Sequence, residues 1–133
     1  KFEKQTIGKF SFEHFYVRES LGNHNNSVAY GRVSIASGSD ILIKVSSSEA
    51  TTVELHEHFN DNGVMRMRQT VTGFPVSENK PLIMKPAGYH MMLGNLIKPL
   101  EKGSTIKLSL DFASGTKANL TIPITNINTI YKP

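Results

Sequence analysis

Apolar and polar residues alternate along most of this chain with a period of two, which is typical of half-buried β-strands. Nine segments show the pattern, and they are rich in Val, Ile, Thr, Tyr and Phe, which pack well on a pleated surface. Gly, Asn, Asp, Ser and Pro separate the segments, and no segment shows a convincing helical period. The predicted strands are 10–18, 28–36, 41–46, 51–59, 64–71, 81–85, 89–93, 105–112 and 118–125.

This spacing of many short strands predicts an all-β fold, either a β-sandwich or a Greek-key β-barrel. A chain of 133 residues suits one domain with its own hydrophobic core, and it contains no internal repeat, linker or low-complexity tract. We therefore expect a single domain over residues 1–133, with residues 1–9 and 126–133 as peripheral tails.

Composition excludes several kinds of chemistry. The chain has no cysteine, which rules out disulfides, a cysteine nucleophile and every thiolate metal site. The net charge is +4, and the basic residues are scattered, so no nucleic-acid-binding face is expected. No apolar run approaches the roughly 18 residues of a membrane helix. No signal peptide is visible, which leaves the compartment open.

The methionines and histidines are concentrated in one part of the chain. All five methionines lie between Met65 and Met92, and three of the five histidines, His56, His58 and His90, lie within or just before this window. Because successive side chains of a β-strand point to opposite faces, the positions of these residues in their strands determine which of them can lie close together.

A β-hairpin is predicted where two alternating segments flank a turn of Asn, Asp and Gly. If Asp61–Asn62 form a two-residue loop, His56 opposes Met67; if Asn62–Gly63 form it, the stronger turn signal, His58 opposes Met67. Either register places the histidines and methionines of both strands on one face, with opposed Cβ atoms roughly 4.5–5.5 Å apart. A three-residue loop would break this arrangement.

The stretch "YHMML" separates two adjacent methionines. His90 and Met92 point to one face of their strand, whereas Tyr89, Met91 and Leu93 point to the other. Met91 is therefore predicted to lie in the core and Met92 to lie beside His90. The predicted metal ligands are His56, Met67, His90 and Met92.

The chemistry of this set favours monovalent copper. Thioethers are soft, neutral ligands that suit Cu(I) better than Zn(II), Mg(II) or Ca(II), and imidazole adds affinity. Cu(II) is a second option for the same site. His58 has three possible roles: an alternative metal ligand, a residue that contacts a ligand without binding the metal, or a solvent-exposed neighbour of the site. The remaining methionines are assigned to packing and the remaining histidines lie outside the cluster: Met65, Met84, His14 and His24.

At these residues the sequence resembles the periplasmic copper chaperone family PCu(A)C. The family pattern is a His, ten residues, a Met, about twenty-one residues and then His-x-Met. Here His56 and Met67 match the first pair, and His90-x-Met92 closes the motif after 22 residues, one more than usual. The extra residue is predicted in a loop around 72–79. "VELHEH", "GVMRMR", "KPAGYHMML" and "KPLEKGSTIKLSLDF" also resemble the family, and the likeness covers residues 15–124.

The resemblance implies a cupredoxin-like domain that carries copper and is not an enzyme. It implies a periplasmic location and transfer of copper between donor and acceptor proteins. The expected partners are a Sco-type thioredoxin-fold protein and the cytochrome c oxidase subunit that holds a dinuclear copper centre. Neither a nucleic acid nor a membrane-spanning segment is expected, and the oligomeric state is left open.

Three other classes remain as alternatives. A metal-free structural or adhesive β-sandwich would bind no copper. An electron-transfer protein of the blue-copper type would need a cysteine thiolate. A zinc or copper enzyme would need a base or carboxylate ligand near the histidines, for which Glu54, Glu57 and Asp61 are the candidates. A polar strand edge and a turn aspartate are the preferred explanation of these three residues.

Overall fold

A computed structural model describes residues 2–20, 22 and 25–126 of the chain. These residues form eleven β-strands and no helix, so none of them forms a helix that could cross a membrane. The strands are β1 (Gln5–Ile7), β2 (Phe10–Arg18), β3 (Ser27–Ile35), β4 (Ser39–Ser46), β5 (Ala50–Asp61), β6 (Val64–Gln69), β7 (Phe74–Ser77), β8 (Leu82–Met84), β9 (His90–Leu96), β10 (Thr105–Phe112) and β11 (Lys117–Thr125).

The strands hydrogen-bond in the order β6-β5-β9-β3-β2-β11-β10-β4-β7, and β1 and β8 add to β2 and β3. Strands β6, β5, β9, β3 and β2 form one layer and strands β10, β4 and β7 form the other, and β11 joins the two layers. It runs antiparallel to β10 along most of its length, and its last residues, Ile124 and Thr125, pair parallel with β2. The predicted all-β architecture is confirmed.

Aromatic side chains fill the core between the layers. The rings of Phe10 on β2 and Phe112 on β10 are stacked with their centroids 4.4 Å apart. Phe15, also on β2, lies directly over Gly31 of β3, where an added Cβ would come within 2.5 Å of the ring. The absence of a side chain at residue 31 therefore lets β2 pack its aromatic row against β3, the strand that pairs with β9.

All nine predicted strands are present, with ends within three residues of the predicted ones. Strands β1 and β7 were missed. Strand β7 lies in the segment predicted as a loop, 72–79, and this prediction was wrong for residues Phe74–Ser77. Proline is tolerated on an edge strand, and β7 is the edge strand beyond β4, with Phe74 and Val76 buried.

Part of the predicted N-terminal tail also pairs with the sheet. Strand β1 lies antiparallel to β2, with Ile7 opposite Phe10 across a turn in which Gly8 has φ 57°. All but the first residue of the predicted C-terminal tail, 126–133, lies outside the described residues.

Candidate metal centre

The register of the β5–β6 hairpin is set by Asn62–Gly63. Both residues have positive φ, 53° and 91°, as a two-residue type I′ turn requires. Asp61 then opposes Val64, and His58 opposes Met67. The register with this stronger turn is confirmed and the alternative with Asp61–Asn62 as the loop is wrong, because the positive φ angles fall on Asn62 and Gly63, and glycine takes such an angle without steric cost.

Strand β9 separates its two methionines as predicted. Met91 is 0% exposed and lies in the core with Leu93, whereas Met92 is half-buried on the opposite face. Tyr89, just before the strand, packs against Phe74 with ring centroids 4.5 Å apart. The prediction that Met91 is a core residue is confirmed.

Pairing of β5 with β6 and β9 gathers three histidines on one face of the sheet. His56 lies directly opposite His90, and their ring centroids are 5.5 Å apart. The His58 ring is 5.3 Å from that of His90. The structure thus brings together the two predicted histidine ligands and the alternative one.

The two methionines of the predicted set lie diagonally from His56. Met92 opposes Glu54, two residues before His56, and Met67 opposes His58, two residues after it. Diagonal neighbours in a sheet are roughly 7–8 Å apart at Cα, within reach of long side chains. The four predicted ligands share one face, with the histidine pair between the methionines.

A backbone carbonyl orients two of the imidazoles. The Nδ1 atoms of His58 and His90 lie 3.1 Å and 3.2 Å from the Gly88 oxygen. A carbonyl oxygen only accepts hydrogen bonds and has two lone pairs, so both Nδ1 atoms carry the proton and donate. In the neutral rings, Nε2 of each histidine therefore has a free lone pair.

His56 is oriented the opposite way. Its Nε2 lies 2.9 Å from Glu54 Oε1 and donates to this carboxylate. Its Nδ1 is buried and has no hydrogen-bond partner among the described residues. In the neutral ring this buried nitrogen therefore keeps a lone pair that no hydrogen bond uses, which a metal ligand needs before the ion arrives.

Burial controls the protonation of His90, which is only 3% exposed. Desolvation lowers the pKa of His90, and the neighbouring His56 and His58 lower it further, whereas the hydrogen bond to Gly88 opposes the shift. The neutral form, the one that can bind a metal, is therefore favoured. The Tyr30 ring covers another side of His90, with centroids 6.4 Å apart, and burial raises the pKa of Tyr30.

The predictions for the remaining methionines and histidines are confirmed only in part. Met84 is 0% exposed, which confirms its packing role, but Met65 is 57% exposed, so its assignment to packing was wrong. Every residue of β6 is exposed because β6 is the edge strand beyond β5. His14 is exposed at an irregularity in β2, and His24 lies outside the described residues.

Sequence reasoning predicted that these histidines and methionines share one face, but it missed what orients the imidazoles. The Gly88 carbonyl carries no sequence signal, because its position depends on the turn before β9. Glu54 was considered as a base, a direct ligand or part of a polar strand edge, but not as a partner that orients His56. Its spacing of two from His56 does place both on one face, which was the available signal.

Residues 2–20, 22 and 25–126 contain no group of three His, Cys, Asp or Glu side chains that could hold a metal ion. The histidine face does present thioethers: Met67, which is 48% exposed, and Met92. Imidazole nitrogen and thioether sulfur together suit a soft, monovalent ion.

The fold is shared with solved copper-protein domains. The copper-bound PCuAC domain from PmoF2 superposes with a TM-score of 0.78 at 19% identity, over 94% of this chain and 99% of that one. Apo-DR1885 from Deinococcus radiodurans superposes with a TM-score of 0.69 at 19% identity, over 95% of this chain and 85% of that one. These likenesses define a cupredoxin-like β-domain.

The sequence comparison establishes the family. The family described as "Putative lipoprotein LpqE-like" matches residues 10–124. The chain belongs to this family, which is the PCu(A)C family that its motif resembles. The curated relative Lxx21020 from Leifsonia xyli subsp. xyli is 33% identical over 99 residues, 74% of this chain, and the match spans only 60% of the relative's length.

Proposed function

We propose that this domain is a copper carrier that binds Cu(I) through His56, Met67, His90 and Met92 and performs no catalysis. One observation carries the proposal: a packed pair of imidazoles, His56 and His90, lies between two methionines on one face of the sheet. The set is soft and neutral, so it favours Cu(I) over harder dications.

Similar proteins support copper as the cargo. The family is that of PCu(A)C domains, and DR1885, a structural neighbour, has a solution structure in its Cu(I) form. We propose Cu(II) as a second state of the same site.

The choice between His56 and His58 rests on their surroundings. His58 opposes Met67 directly and keeps a free Nε2, so it is the alternative ligand. His56 faces His90 directly and has a buried ring nitrogen without a partner among the described residues. We favour His56 as the ligand, because binding copper would relieve that unpaired buried atom.

Delivery of the ion requires access from outside. Met67 lies on the exposed edge strand β6 and is about half exposed, so a partner's ligand could reach an ion held there. Cu(I) tolerates low coordination numbers and can leave by stepwise ligand exchange. The family resemblance supports a periplasmic location, a Sco-type partner and delivery to the dinuclear copper centre of cytochrome c oxidase.

Competition with a Cu(I) chelator under anaerobic conditions tests the ligand set. Met67→Ala, His90→Ala and Met92→Ala should each weaken Cu(I) binding by about tenfold or more, or about 1.4 kcal/mol. His56→Ala should weaken it more than His58→Ala.

Met65→Ala is the matched control, because Met65 is an exposed methionine on the same face of β6, two residues from Met67. The Met65→Ala variant should bind Cu(I) with the same affinity as the wild type. Unchanged affinity in all three ligand variants would contradict the proposed site, and absence of stoichiometric copper would favour a metal-free β-sandwich module.

A further inference from the structure

The carboxylate of Glu54 has no assigned role, although it contacts the histidine cluster. Glu54 precedes His56 by two residues on β5, so both side chains project from the same face. Its Oε1 lies 2.9 Å from His56 Nε2, and its side chain is 46% exposed whereas that of His56 is only 14% exposed. The carboxylate therefore sits at the rim of the cluster and holds the ring from the solvent side.

This contact determines which ring nitrogen is free. A carboxylate only accepts hydrogen bonds, so the proton of a neutral His56 ring is held on Nε2. The lone pair is then on Nδ1, the buried atom that lacks a partner among the described residues. His58 and His90 have the reverse pattern, because the Gly88 carbonyl holds their protons on Nδ1.

We propose that Glu54 is a positioning residue that fixes the tautomer of His56, so that this ring binds Cu(I) through Nδ1 whereas His90 binds through Nε2. The inference rests on the proposed copper-carrying function. Carboxylate partners of this kind orient histidine ligands and increase their basicity, and their loss typically weakens metal binding about 10–100-fold. Glu54 makes no bond to the ion in this scheme.

The tautomers are measured without copper by two-bond nitrogen–proton correlation NMR on isotope-labelled protein at mildly alkaline pH. We expect His56 in the Nε2–H form and both His58 and His90 in the Nδ1–H form. Cu(I) has a filled d shell and is diamagnetic, so the same experiment can be recorded on the copper-loaded protein. Of the two ring nitrogens of His56, Nδ1 should show the larger change in chemical shift when copper binds.

Glu54→Gln removes the constraint, since an amide can donate or accept. The Nε2–H form of His56 should lose its dominance, and Cu(I) affinity should fall about 10–100-fold. Glu57→Gln is the matched control: Glu57 is on the same strand but the opposite face, where it accepts from Arg68 and Thr70. It should leave both the tautomer and the affinity unchanged.

The outcomes separate the two proposals. An Nδ1–H tautomer for His56 in the metal-free wild type would overturn the role of Glu54, whatever the copper result. Wild-type binding together with an unchanged affinity in Glu54→Gln would overturn it as well. A wild-type chain that binds no Cu(I) would instead overturn the proposed copper carrier.

Discussion

At the scale of single residues, the adjacent methionines Met91 and Met92 lie on opposite faces of the same strand. Met91 is enclosed by the core, and Met92 lies on the face that carries His90. Strand alternation predicts this division from the sequence alone, because successive side chains point to opposite faces. Ring orientation was not predictable, since it depends on where the Gly88 carbonyl and the Glu54 carboxylate lie in the folded chain.

Met91→Ala should separate packing from metal binding. Removing a fully buried methionine side chain leaves a cavity and should lower the free energy of unfolding by about 2–5 kcal/mol. Cu(I) affinity should stay close to that of the wild type under conditions where the variant is folded. Denaturant unfolding with Met92→Ala as the comparison measures this, and a larger stability loss for Met92→Ala would contradict the assignment.

The metal-free protein should lose stability in mildly acidic solution because of His90. Burial lowers the pKa of this residue in the folded state, whereas the unfolded chain has the ordinary value of about 6.5. As the pH falls below about 6.5, the unfolded state takes up a proton that the folded state resists. The free energy of unfolding should therefore fall over this range.

The contribution of His90 is isolated by comparison with His90→Gln, which cannot titrate. Its unfolding free energy, measured in denaturant at several pH values, should depend less steeply on pH below about 6.5 than that of the wild type. An equal or steeper dependence in the variant would show that His90 is not the titrating group.

At the scale of elements, the β5–β6 hairpin places Met67. Its Asn-Gly turn is a strong local signal, so the sequence favoured the correct register. Ion pairs and stacking on the opposite face hold the same register: Arg66 donates to Asp61 at 2.8 Å, and Arg68 lies 4.2 Å above the Phe59 ring. Strand β7 was not predictable in the same way, because its assignment depends on pairing with β4 and on burial of Phe74.

Gly63→Ala should test the hairpin. Residue 63 has φ 91°, which disfavours any side chain, although an added Cβ would meet no atom within 4 Å. The variant should lose about 1 kcal/mol of stability. It should also bind Cu(I) more weakly, because this turn sets the register of β6, the strand that carries Met67.

Gly115→Ala supplies the control for this experiment. Gly115 has φ 99°, equally open space around it and a place in the β10–β11 turn, away from the histidines. It should lose similar stability without losing copper affinity. Equal affinities for both variants would show that the hairpin turn does not position the site.

At the scale of the whole molecule, the sandwich supports the face that carries the predicted copper ligands. The paired layers bury an apolar core that includes Met91, and β5, β9 and the edge strand β6 carry His56, His90, Met92 and Met67 on the opposite face of their layer. The all-β class and the shared face were predictable from alternation. The joining of the two layers through β11 was not, because it depends on a parallel pairing between strands far apart in sequence.

The central claim is that this face binds one Cu(I) ion with both nitrogen and sulfur ligands. Anaerobic titration of the wild-type domain with Cu(I), followed by X-ray absorption at the copper edge, tests it most directly. We predict one copper per chain, with imidazole nitrogen and thioether sulfur neighbours and loss of sulfur scattering in the Met67→Ala, Met92→Ala double variant. A copper environment without sulfur, or no stoichiometric binding, would contradict the account.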